Sequence, residues 1–175
     1  MADLSEIVQR DYSDIEETSL YFETIPVKKI IWLSIFTLGI YEIVWFYKSW
    51  KTLAVKFGYK VSPFWRALFG GITGFWLFPT LSRYIKAFNI ESFNAPLFAI
   101  LYLVLNMMNR LPDPWWLLCF GSIAVIAIVQ GKINEVNKAN FPQAPVNKWR
   151  AVNTIWSILG GIILVLALIG TFLPD

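Results

Sequence analysis

The chain has 175 residues, of which 57% are apolar and 15% charged, whereas soluble domains average about 45 to 50% apolar and about 25% charged residues. Its 14 Phe, 9 Trp and 7 Tyr are more aromatic surface than a core of this size hides while the rest stays wet, which argues against a water-soluble fold. His is absent and Cys occurs once, so His metal sites, Cys clusters, His general bases and internal disulfides are excluded.

In chain order, residues 1–25 form an acidic polar tail with seven acids (Asp3, Glu6, Asp11, Asp14, Glu16, Glu17, Glu23) and Arg10 as the single base. Residues 26–175 then hold 14 bases and 5 acids and are expected to be a helical membrane domain. The bases flank apolar stretches instead of forming one dense patch, which fits anionic lipid headgroups better than nucleic acid.

The first apolar stretch, 30–47, lies between Lys29 and Lys48, and its length as one helix is about 27 Å, just enough to cross a hydrocarbon core of about 30 Å. Beyond it Trp50, Leu53, Ala54 and Phe57 share one face opposite Lys48, Lys51 and Lys56, the pattern of a helix at a membrane surface. The second span is expected over 67–84. Two shorter stretches, 95–109 and 115–131, suit either two thin spans or a re-entrant hairpin, and 151–173 is the strongest span. The fold expected is therefore all-α, a polytopic helical bundle of four to five transmembrane helices with amphipathic interfacial helices.

Sidedness depends on the ambiguous pair. Five spans put nine bases on the amino-terminal side against six, whereas a re-entrant 95–111 gathers nine on the other side. A shift of 84 residues places Trp65-Arg66-Ala67 over Trp149-Arg150-Ala151, and this echo predicts a pseudo-symmetric bundle.

Glu42 is the acid inside the first span, and a carboxylate there needs a partner. The expected partner is Arg66, at the start of the next helix. Asn106, Asn109 and Arg110 form a candidate polar cluster, and Gln130, Asn134 and Asn137 an amide stripe facing protein or headgroups. Gly70 with Gly74, and Gly160 with Gly161, are candidate helix-packing patches. Cys119 is expected to be an inert thiol. No nucleophile elbow, phosphate loop, paired Asp motif or metal box is present, so the expectation is a protein that is not an enzyme and needs neither cofactor nor metal.

The run Thr37 to Lys48, TLGIYEIVWFYK, followed by Trp50-Lys51 and Ser62-Pro63-Phe64-Trp65-Arg66-Ala67, resembles a family of small uncharacterised bacterial inner-membrane proteins with a Gly-Ile-Tyr-x-x-x-Trp-Phe-Tyr core. The resemblance covers most of 25–173. It implies a multi-pass protein of the bacterial cytoplasmic membrane and supplies no activity, substrate or catalytic residue. The expected function is contact with other membrane components, with lipid, a homo-oligomer or other membrane proteins as partners. The alternative is a small transporter or channel with a polar midplane site around Glu42.

Overall fold

The sequence predicts one helix through 30–47, and the computed structural model, which describes residues 21–58, 60 and 62–172, breaks it. Helix α1 covers Val27–Phe36 and helix α2 covers Ile40–Phe57. Between them Leu38 and Gly39 have φ of 51° and 86°. That left-handed conformation is natural for glycine and strained for leucine. Thr37 ties the two ends together. Its hydroxyl donates to the Leu33 carbonyl at 2.6 Å and accepts from the Tyr41 amide at 3.0 Å.

The break reverses the chain. As one straight helix, the positions of Lys29 and Lys48 would stand about 28 Å apart. Instead the Lys48 ammonium meets Glu23 at 2.7 Å, the other Glu23 oxygen accepts from the Asn147 amide at 2.7 Å, and Asn147 accepts from Lys29 at 2.7 Å. Both lysines thus share one polar network, and α1 and the first half of α2 form a hairpin with its apex at residues 37–39. From Lys48 to Ile40 the helical rise gives the hairpin a depth of about 12 Å.

Helix α3, Pro63–Leu68, packs back on α2, and α4, Gly70–Ala87, packs on α5, Ala95–Met107. Asn94 caps α5 by accepting from the Leu97 amide at 3.2 Å. Two 3-10 turns, Met108–Arg110 and Trp115–Phe120, lead into α6, Gly121–Asn140, and the chain ends on α7, Ala151–Phe172. The core is aromatic at its centre, where the Phe46 ring lies 6.0 Å from Phe78 and 5.0 Å from Tyr102. Trp50, Leu53, Leu81 and Ile85 extend it along the far half of α2 and α4.

Among the described residues the fold is all-helical, with a single parallel bridge from Thr24 to Val146. Two segments, Trp115–Asn140 and Ala151–Phe172, are long and apolar enough to cross a membrane. Four to five such helices were the expectation, and three features reduce the number. Residues 30–47 fold back on themselves. The 67–84 segment is interrupted at Phe69 and buries Leu77, Phe78 and Leu81 inside the protein. Helix α5 alone is about 20 Å long. The expected pseudo-symmetry is lost for the same reason, since a hairpin occupies 27–57 where its sequence counterpart forms one continuous segment. Of the acidic tail, residues 1–20 lie outside the described part.

Helix α7 touches the rest of the molecule mainly along α1. Gly160 is its buried residue, and a Cβ there would overlap the Phe36 carbonyl at the hairpin apex. Gly161 faces the Phe36 ring, 3.2 Å from an added Cβ. Counting from Arg150, the rise to Gly160 is about 15 Å, a second measure of the apex depth. Gly160→Ala must therefore push α7 off the apex and lower the melting temperature in detergent by several degrees, whereas Gly170→Ala, in open space, leaves it unchanged. Equal melting of both variants would contradict this packing.

Candidate functional site

Two polar assemblies lie inside this apolar frame. The first is a clamp. On α6 the amides of Gln130, Asn134 and Asn137 recur at steps of four and three, which places them on one helix face. They hold the backbone of 22–25 in an extended path. Gln130 donates to the Glu23 carbonyl at 2.9 Å, Asn134 to that of Ile25 at 2.8 Å, and Asn137 to that of Phe22 at 2.7 Å. Trp45 of α2 donates its indole N–H to Gln130 at 2.7 Å, which joins the hairpin to the same ladder.

The Glu23 side chain then gathers Lys48 and Asn147, while Lys29 donates to Asn147 and, at 2.9 Å, to the Lys148 carbonyl. Burial first, and then Lys48, holds the Lys29 ammonium below its ordinary 10.5, with Glu23 opposing the shift. The cavity enclosed by Glu23, Lys48, Ser49 and Gln130 measures about 10 Å³, far below the hundreds of cubic ångströms of a substrate pocket. This assembly is structural.

The second assembly surrounds Glu42, in the first turn of α2 just past the apex. Glu42 is 3% exposed. The Ser122 hydroxyl of α6 donates to its Oε1 at 2.8 Å, and the Tyr102 hydroxyl and Asn106 amide of α5 reach the same carboxyl group. Asn106 also donates to the Tyr102 carbonyl at 2.9 Å. Three helices thus converge on one carboxyl with neutral partners. From Gln130, at the level of the clamp, back to Ser122 the rise along α6 is about 12 Å, so Glu42 sits at the depth of the apex.

The expected Glu42 to Arg66 pair does not form. Arg66 lies 4.3 Å from the centre of the Trp50 ring, and the ion pairs among the described residues are Lys48–Glu23 and Lys132–Glu135. The reason is the hairpin: α2 runs outward past Lys48, so α3 returns beside Trp50, about 12 Å from Glu42 along the helix. The cluster of Asn106, Asn109 and Arg110 divides as well. Asn106, itself exposed near the end of α5, reaches Glu42, while Asn109 and Arg110 stand in the 3-10 turn away from it.

Gly70 and Gly74 lie against the rings of Phe46 and Phe78, where added Cβ atoms would approach to 3.4 and 3.1 Å. Cys119 is a free thiol in the second 3-10 turn. Among the described residues no group of three or more His, Cys, Asp or Glu side chains could hold a metal ion. Comparison with protein-family models, with curated proteins and with solved structures gives no match.

Two measurements probe these assemblies. Glu42→Ala strips Ser122 and Tyr102 of their acceptor and should cost about 1 to 3 kcal/mol of stability in detergent. Glu42→Gln keeps an oxygen for Ser122 and should cost less, so equal losses would show that the hydrogen bonds do not matter. For Lys29 the folded state releases its proton at lower pH than the unfolded chain, so the unfolded chain binds more protons in the window below 10.5 and stability rises with pH there. The melting temperature of the native protein relative to Lys29→Met should therefore increase from about pH 8 to about pH 10, and a falling difference would refute the assigned burial.

Proposed function

We propose that this chain is a multi-pass integral membrane protein that acts without catalysis, through contacts with other membrane components. The observation that carries the reading is α7, which is 22 residues long, 6% buried over its apolar window and packed through little more than Gly160. A helix with so much apolar surface outside the core belongs in lipid or against a membrane partner.

In the topology proposed, three segments cross: Ala95–Arg110, Trp115–Asn140 and α7. The α1–α2 and α3–α4 hairpins enter from one face and return to it, and at their turns Leu38, Ile40, Leu68 and Phe69 expose apolar side chains suited to a lipid surrounding. Charge supports this arrangement. Of the 14 bases among the described residues, 13 lie at or outside the level of Lys29 and Lys48, because α2, α4 and α6 all continue past it. Arg110 alone sits at the other end, in the turn whose Asp113 accepts from Thr171 near the end of α7 at 3.2 Å. A base distribution so unequal favours the clamp face as cytoplasmic. The resemblance of the Gly39 to Tyr47 motif adds the bacterial cytoplasmic membrane as the site.

Cysteines introduced at Lys51 and Lys138 should then react with an impermeant maleimide from the cytoplasmic side, and one at Asp113 from the opposite side. Labelling of all three from one side would refute the topology. For the function itself, in-membrane photocrosslinking from Trp156 and Ile163 should give discrete adducts with lipid, a second copy or another membrane protein.

A second reading, a small proton or cation transporter, is favoured by Glu42 alone. A broken helix, a half-helix amino terminus and a carboxyl without a cationic partner at mid-depth are features of transport sites. Liposomes holding the protein should then pass protons or sodium ions down a gradient and lose that flux with Glu42→Gln. Unchanged flux in the variant would end this reading.

A further inference from the structure

We propose that the groove between α1 and α7 is a binding site for one acyl chain of an anionic phospholipid, whose headgroup is held by Lys148, Arg150 and Lys28. The proposal rests on the reading of the chain as a membrane protein and goes beyond it by naming the partner and its seat.

The groove has a volume of about 580 Å³, in the range of sites for small organic ligands. Trp149 lies at its outer end, just before α7, and along one face of α7 Thr154, Ser157, Ile158, Ile162 and Val165 recur at helical steps, with Phe36 of α1 opposite. From Thr154 to Val165 the helical rise is about 17 Å. The groove therefore runs lengthwise along α7, as an acyl chain would lie, from the basic face past the hairpin apex.

Polarity changes along it in the order of a phospholipid. At the outer end Lys148 and Arg150 flank Trp149, and Lys28 stands on the first turn of α1; all three are exposed, and none forms an ion pair among the described residues. Arg150 is also close enough to Lys29 to disfavour its charge. Such a gathering of bases attracts an anionic headgroup. One turn deeper come two hydroxyls. Thr154 accepts from the Trp149 indole at 2.8 Å, whereas the Ser157 hydroxyl is enclosed with no hydrogen-bond partner. An enclosed hydroxyl without a partner is costly, and because the Ser157 side chain lines the groove, a turn about its χ1 would let it donate to an ester carbonyl at this depth. Below Ser157 the lining is apolar throughout, with Ile158, Ile162 and Val165.

A second copy of the chain would need a complement for the bases, which this polarity gradient does not supply, so lipid is the occupant argued for. The test uses the full-length protein in mild detergent. Thermal unfolding and native mass spectrometry are recorded with added phosphatidylglycerol or phosphatidylcholine of the same acyl chains, and carbonate extraction of membranes checks integration. Phosphatidylglycerol should be retained preferentially and raise the melting temperature more. Lys148→Gln with Arg150→Gln should reduce that preference roughly tenfold, and Ile162→Trp, which fills the groove from an exposed position, should abolish retention of both lipids. Equal retention of the two lipids, or variants that behave as the parent while all resist carbonate, would overturn the site and leave the membrane reading intact. Release of the parent by carbonate would overturn both. Disulfide-linked dimers from Ile162→Cys in lipid-replete micelles would assign the groove to a second copy and overturn the lipid proposal.

Discussion

A polypeptide that turns round inside an apolar surrounding must find partners for the amide and carbonyl groups its helices leave free. At residues 37–39 Thr37 supplies both, accepting from the start of α2 and donating to the end of α1, while Gly39 takes the left-handed conformation that closes the turn. The arrangement of the other elements follows from this reversal. Because the chain returns, Lys48 meets the Glu23 carboxylate and Lys29 joins it through Asn147, the outer half of α2 stands clear of the hairpin, and α3 and α4 have a helix to pack on. The apex in turn presents a bare carbonyl at Phe36, against which only a residue without a side chain can lie, and that sets the crossing point of α7.

The two polar assemblies hold the hairpin at its two ends. At its mouth the amides of α6 hold residues 22–25 while Glu23 binds Lys48 and, through Asn147, Lys29, and at its tip Ser122, Tyr102 and Asn106 bind Glu42. Each assembly draws on α6, so this helix reads the hairpin along its length. Polar side chains between buried helices usually add about 1 kcal/mol or less each, yet they fix register, since a slip leaves several groups unpaired.

Much of this was legible in the sequence, and the failures have identifiable causes. The helical class, the amphipathic second half of α2, the amide stripe on α6 and the glycine at residue 160 all follow from periodicity and residue size. The hairpin was hidden because 30–47 is uniformly apolar. Length and hydropathy cannot distinguish a straight helix from one bent at Gly39, and Leu38, the residue that bends, is a good helix former. The Glu42 to Arg66 pairing failed with it, as it assumed a rigid helix between them. Glu23 was overlooked because it was counted with the acidic tail, although it stands next to Thr24 and Ile25 at the threshold of α1. Ser122 and Asn147 carry no sequence signal of their own, and their roles come from positions that only the folded chain brings together.

The hairpins also bear on how such a chain enters a membrane. In the proposed topology a helix that dips and comes back need not carry its flanking lysines through hydrocarbon. The work of translocation then falls, for the described residues, on the short turn holding Arg110 and Asp113 and on the uncharged end of α7. One base and one acid are a small load for insertion machinery, whereas a full crossing by the first segment would have to deliver the lysines of α2 to the far side. In the proposed topology, reversal at Gly39 leaves all but one of the 14 bases among the described residues on the face from which the hairpins enter.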